Sequence, residues 1–277
     1  MLDGLDMSIL EVHENPETSQ ECVGTIAMVT RATVAAATAV SLMMNDNSYL
    51  RPGQYVKRFI IVGNILTFQR NQCINEMEGD WILFIDSDMT WQPNDVKTLV
   101  ETREKFDLDM VGGLCFQRGD PYQPTMYKMA PNDAHGYTFM EKWPVDAAVE
   151  VDATGMAFCL IHRRVFDRIL TEWTAAPFPD FEGRHGQRPA PFFRWVEEYG
   201  EDFLFCREAK ASGSKIFVDT SVKIGHVGEQ IITEETFFRE IAFRSPEATK
   251  FREAVLAEIG EGALTREEAM EMLSWKQ

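Results

Sequence analysis

The 277 residues predict an α/β fold, a largely parallel central sheet with helices on both faces, followed by a helical C-terminal tail. Two observations carry this. Four short apolar runs suited to buried strands alternate with three helix-like segments between residues 24 and 118. One of those runs, Trp81-Ile82-Leu83-Phe84-Ile85, leads straight into Asp86-Ser87-Asp88. Polar punctuation at Glu78-Gly79-Asp80 and Pro93-Asn94-Asp95 makes it a short strand buried on both faces.

Taken in order, residues 1–23 are polar and acidic and read as a loose N-terminal extension. Gly24–Thr30 is a first strand with Arg31 at its end, and Ala32–Met44 a helix of small residues closed by Asn45-Asp46-Asn47. Lys57–Gly63 is a second strand, Phe68–Glu78 a helix carrying Arg70 and Asn71, and Trp81–Asp88 the third strand. A helix over Asn94–Lys105 and a strand over Met110–Leu114 complete the alternation. Prolines and aromatics across 119–150 predict loops or hairpins over the sheet edge. Val149–Ile161 is strand-like with Gly155 inside it, a place where a ligand or another backbone comes close. Arg163–Leu170 is helical. The Pro- and Gly-dense stretch 174–192 is a long loop, either a lid or a passive connector. A helix over Phe203–Ser212 and a short strand over Lys215–Val218 follow. Beyond 229 a capping serine at Ser245-Pro246 and a capping box at Thr265–Glu268 predict helices that pack on the main domain. The division is therefore 1–23 extension, 24–228 main domain and 229–277 tail.

Composition narrows the classes. The net charge of −17 disfavours a general grip on nucleic acid. Five scattered cysteines without a CxxC pair suggest neither a zinc site nor a disulfide framework, and fit a cytoplasmic setting. No apolar run is long enough to span a membrane, and the N-terminus lacks the pattern of a signal peptide.

The chemistry-bearing residues cluster at element ends. Asp86 and Asp88, two apart on an extended chain, point the same way at a strand's C-terminal end, where open α/β sheets bind ligands. They either hold a divalent cation on a phosphate or solvate a loop and cap the next helix. Gly200-Glu201-Asp202 opens a helix, and His226 stands between glycines after a strand.

In this order the pieces resemble the GT-A glycosyltransferases, especially the family-2-like ones. The resemblance runs over about 24–228: an apolar strand ending in a DxD motif (Ile85-Asp86-Ser87-Asp88), an Arg-Asn pair on the preceding helix (Arg70-Asn71), the strand Val151–Ile161 with Thr154-Gly155, the segment Gly200-Glu201-Asp202-Phe203, and a late His226. Glycosyltransferase-like proteins encoded by bacteriophages show a similar texture around Gly113–Tyr127. The turn after the second strand, Val62-Gly63-Asn64-Ile65-Leu66-Thr67, departs from the family pattern because it lacks an acid.

The resemblance implies a metal-dependent transfer of a sugar from a nucleotide-diphosphate sugar, UDP- or GDP-linked, to an acceptor hydroxyl, with Mn²⁺ or Mg²⁺ as cofactor. Asp88 and His226 are the implied metal ligands, with Asp86 on the metal's water or the ribose. Asp202 is the implied general base of an inverting displacement, with Glu201 as the alternative. Thr30, Arg31, Asn64, Arg70 and Ser87 are candidates for nucleotide and phosphate contacts, and Arg118 and Gly155 for the sugar or acceptor. The acceptor is open, modified DNA included. Asp86-Ser87-Asp88-Met89-Thr90 also fits a HAD-like phosphatase with Asp86 as nucleophile, and a sugar nucleotidylyltransferase shares a related fold. The late position of the motif argues against the first. The glycine-free turn Thr30-Arg31-Ala32-Thr33 argues against the second.

Overall fold

The computed structural model describes residues 9–11, 20–119, 122–130, 136–175, 192–195, 200–228, 233–234, 236 and 250. In chain order the strands and helices are β1 (Ile9–Glu11), β2 (Glu21–Thr30), α1 (Ala36–Met43), β3 (Gln54–Val62), α2 (Leu66–Asn75), β4 (Trp81–Asp86), β5 (Met89–Thr90), α3 (Asp95–Phe106) and β6 (Met110–Leu114). They continue as β7 (Met126–Met129), β8 (Tyr137–Phe139), β9 (Ala148–Val151), β10 (Ala153–Thr154), β11 (Phe158–His162), α4 (Arg163–Ala175), α5 (Glu201–Ala211), β12 (Ile216–Lys223) and β13 (Gly225–His226).

Eight strands form the central sheet in the order β1-β3-β2-β4-β11-β6-β12-β9. β2 runs parallel to β3 and β4, and β12 parallel to β6. β11 lies antiparallel between β4 and β6, so the four strands of the predicted alternation share one direction although a fifth is inserted among them. The mixed α/β architecture, a large sheet flanked by helices, is the predicted class.

Alternate residues of β4 enter two different cores. Ile82 and Phe84 pack on one face with Phe59, Phe193 and Phe205. Trp81, Leu83 and Ile85 pack on the other with Trp91, Leu99 and Phe158. Burial of each such side chain contributes on the order of 2 kcal/mol, which explains an apolar run without polar alternation. Two glycines let β4 start where it does. Gly79 has φ +73°, and a Cβ there would lie 2.3 Å from the Gly24 nitrogen. A Cβ on Gly24 would meet the Trp81 ring at 2.1 Å.

The structure departs from the sequence reading at four places. The extension is not wholly loose: β1 pairs with β3 at the sheet edge, and β2 begins at Glu21. The single strand expected over 149–161 is three strands. β9 belongs to the central sheet and β10 to a separate three-stranded sheet with the β7–β8 hairpin. The break falls at Asp152, whose carboxylate accepts from the Met129 N–H at 2.7 Å and pairs with Lys210, drawing the chain off the main sheet. α1 starts at Ala36, because Ala35 has extended backbone with ψ 139°; the Ala35 N–H donates to the Ser87 carbonyl at 2.9 Å. α5 starts at Glu201, which puts both acids inside its first turn. The predicted tail helices and most of the 174–192 loop lie outside the described residues.

Candidate active site

The parallel strands end together. Thr30 is in register with Val62, and Val29 with Asp86, so Arg31, Asn64 and Ser87 follow three adjacent strands at one edge of the sheet. Arg31 and Asn64 are exposed there. Thr30 is buried, its hydroxyl donating to the Thr33 carbonyl at 2.6 Å and its own carbonyl accepting from Gly63 and Gln69. It shapes the turn from which Arg31 projects.

At this edge β5 and β13 form a two-stranded ribbon that pairs His226 with Met89. The ribbon folds the chain back so that His226 Nε2 lies 3.4 Å from Asp88 Oδ2. The Val227 N–H donates to the Asp88 carbonyl at 2.7 Å and fixes the register. His226 Nδ1 lies 2.9 Å from the Phe116 carbonyl. A carbonyl only accepts, so Nδ1 carries the proton and Nε2 is the nitrogen turned to Asp88. Two acceptors facing each other at that distance call for a cation between them, a proton or a metal ion. Arg118 also reaches Asp88 Oδ2 at 2.9 Å and donates to the Val227 carbonyl at 3.1 Å. Burial opposes ionisation of Asp88, but His226 and Arg118 together hold its carboxyl below the ordinary value.

A second cluster sits beside the first. Arg70 on α2 is buried, with its guanidinium directed at three acids. Nη1 bonds Glu201 Oε1 at 2.9 Å and also Asp202 Oδ1, while Nη2 reaches Asp86 Oδ1 at 3.3 Å. Burial would disfavour the Arg70 charge, but Asp202, Asp86 and Glu201 outweigh it and raise its pKa. Burial raises Asp86 in turn despite the pull of Arg70. Glu201 is raised by burial and by Asp202 next to it. The other oxygen of Asp202 accepts from the Met156 N–H at 3.3 Å. A Cβ on Gly155 would lie 3.7 Å from that same oxygen, so Gly155 borders the carboxylate.

Every sequence-predicted site residue therefore falls on this edge or on the two clusters. Arg70, a candidate for nucleotide contacts by sequence, faces the protein's own acids Asp86, Glu201 and Asp202. Four participants escaped the sequence reading. Phe116 and Met156 act through backbone atoms, which no residue type advertises. Phe193 lies with its ring centroid 5.6 Å from the Arg70 guanidinium. Tyr127, whose hydroxyl burial and Asp202 push up to about 12, looks like any core aromatic in sequence. Among the described residues no group of three or more His, Cys, Asp or Glu side chains is arranged to hold a metal ion. The donor set at hand is the pair Asp88 and His226.

Residues 66–170 match the family model described as glycosyl transferase family 2. The similarity to glycosyl transferase family 2 covers less than half of the chain. The match runs from α2 into α4 and takes in Arg70, Asp86, Asp88, Arg118 and Gly155, while Glu201, Asp202 and His226 lie beyond it. No curated protein matches the chain. Among solved structures it is similar to A197 from STIV, with TM-score 0.47 and 15% identity over 76% of this chain and 91% of that one. It is also similar to GalNAc-T7 in its structure with UDP, GalNAc and Mn²⁺, with TM-score 0.49 and 14% identity over 94% of this chain. The chain spans 54% of that GalNAc-T7 chain. The family match stands against both the phosphatase and the nucleotidylyltransferase readings. Among the described residues no helix is long and apolar enough to cross a membrane.

Proposed function

We propose that this glycosyltransferase moves a sugar from a UDP- or GDP-sugar to an acceptor hydroxyl, with Mn²⁺ or Mg²⁺ held by Asp88 and His226 and with Asp202 as general base. The observation that carries the reading is the Asp88–His226 pair, two acceptors turned to each other across 3.4 Å beside a strand end. A carboxylate oxygen would suit either ion, and the imidazole nitrogen would favour Mn²⁺ over Mg²⁺, which prefers oxygen ligands. Such an ion supplies neutralisation of the charge that grows on the leaving diphosphate. Arg31, Asn64 and Ser87, side by side past three strand ends, receive the nucleotide. Asp86, at the end of β4, faces Arg70.

Asp202 takes the proton of the acceptor hydroxyl as that oxygen attacks the anomeric carbon. One displacement from the face opposite the diphosphate inverts the configuration. Glu201 is the second choice for the base, because its carboxylate is turned inward to Arg70 and is more deeply buried than that of Asp202. Arg118, half exposed beside Asp88, is placed to meet the sugar or the diphosphate once the donor enters.

The test is a thermal-shift screen against UDP-, GDP-, CMP- and dTDP-sugars with Mn²⁺, followed by calorimetry and transfer assays with the donor that stabilises the fold. Asp202→Asn should keep donor affinity and lose transfer. A wild-type transfer rate in that variant reassigns the base, and full activity in chelator removes the metal from the scheme.

A further inference from the structure

Arg70 is 1% exposed and belongs to the Arg-Asn pair of α2. Its neighbour Asn71 holds a distant segment in place: Nδ2 donates to the Phe193 carbonyl at 2.8 Å, and Oδ1 accepts from the Phe193 N–H at 3.1 Å. The Phe193 ring so placed stacks on Phe205 of α5 at 4.6 Å and flanks the Arg70 guanidinium. The guanidinium in turn ties the end of β4, through Asp86, to the first turn of α5, through Glu201 and Asp202. These partners are 16, 131 and 132 positions away in the chain.

We propose that Arg70 is a positioning residue, which sets the Asp202 carboxylate at a fixed place relative to the strand end at Asp86 and does not bind the donor. The inference rests on Asp202 being the base. A guanidinium is a rigid planar fork that can hold two acids at a set separation, whereas an ammonium is a point charge. With Nη1 on Oδ1 and the Met156 N–H on Oδ2, the Asp202 carboxylate is gripped from both sides. Its rotation is thereby limited, and its free lone pairs are aimed. Arg70 is buried, and both terminal nitrogens of its guanidinium are already engaged by these acids.

The test compares Arg70→Lys, Asp202→Asn and the double variant in the full chain, with the donor found above. Arg70→Lys should lower kcat about 100-fold, the loss expected from misplacing a reacting group, while donor affinity by calorimetry stays within about twofold. The double variant should be no slower than Asp202→Asn alone, because both changes act through one carboxylate. Donor affinity weakened about tenfold with kcat retained would make Arg70 a donor ligand and overturn the proposal. So would losses that multiply in the double variant. A wild-type rate in Asp202→Asn, where Arg70 is intact, marks failure of the base assignment instead, and the positioning role falls with it. If Arg70→Lys does not fold, Phe193→Leu leaves every charge in place and removes the ring beside the guanidinium. It should lower kcat about tenfold at unchanged donor affinity, and a wild-type kcat there overturns the proposal.

Discussion

His226 and Asp88 lie 3.4 Å apart, nitrogen to oxygen, with the far nitrogen of the imidazole held by the Phe116 carbonyl at 2.9 Å. That second contact makes the pair more than a surface ion pair, because it orients the ring and selects which nitrogen faces the acid. His226→Ala and Asp88→Asn should each weaken Mn²⁺ binding to the protein about tenfold or more, read by the paramagnetic signal of free Mn²⁺ in a titration without donor. Unchanged Mn²⁺ binding in both variants would place the ion elsewhere. Arg118 reaches the same oxygen of Asp88, so Arg118→Gln should strengthen Mn²⁺ binding in the same titration.

Gly24 is a packing requirement. The Cβ of an alanine would lie 2.1 Å from the indole of Trp81, which is 2% exposed and closed in by the core. Gly24→Ala should destabilise the fold by about 3 kcal/mol, the upper part of the range for overpacking. The urea midpoint should fall with its slope retained. Adding Trp81→Phe should recover part of the loss; an unchanged midpoint for Gly24→Ala alone would refute the account.

Gly155 makes the opposite case. A Cβ there would meet Thr125 at 3.6 Å and an oxygen of Asp202 at 3.7 Å, both ordinary contacts. Gly155→Ala should therefore keep stability within about 1 kcal/mol of the parent. Its methyl would stand beside the base, in space the reading leaves to substrate, and should slow transfer about tenfold. Equal transfer rates for the two proteins would remove Gly155 from the site.

Asp95 opens α3, is 8% exposed, and accepts from the Gln92 N–H at 2.7 Å. Burial pushes its carboxyl up to about 6, with Asp219 nearby adding to the rise and the Gln92 N–H opposing it. The folded state therefore holds this proton at a pH where the unfolded chain has released it. Charged Asp95 costs stability above about pH 6, and the cost disappears as pH falls towards 4. Asp95→Asn, which can still accept from Gln92, should be more stable than the parent by on the order of 2 kcal/mol at pH 8. The gap should close by pH 4 in thermal melts. A gap that is constant with pH would contradict the burial of the charge.

The elements that were legible share a local cause. β4 was readable because five consecutive apolar residues can be satisfied only by burial on two faces, and both faces are filled. Asp86 and Asp88 were readable because they end that run, and Glu201-Asp202 because they precede a helix. The strand over 149–161 was misread as continuous because its interruption depends on Lys210 and the Met129 N–H, both distant in sequence.

By itself the sequence determined the strand–helix alternation, the double burial of β4 and the placing of acids at element ends, all consequences of periodicity and of residues close along the chain. Only the tertiary structure decided that β11 enters antiparallel between β4 and β6, that His226 turns one named nitrogen to Asp88, and that Arg70 serves three acids. Strand pairing and a buried charge's choice of partners are set by what lies adjacent in space. A guanidinium taken out of water is held by whichever carboxylates the fold delivers to it, and two of these stand 131 and 132 positions along the chain.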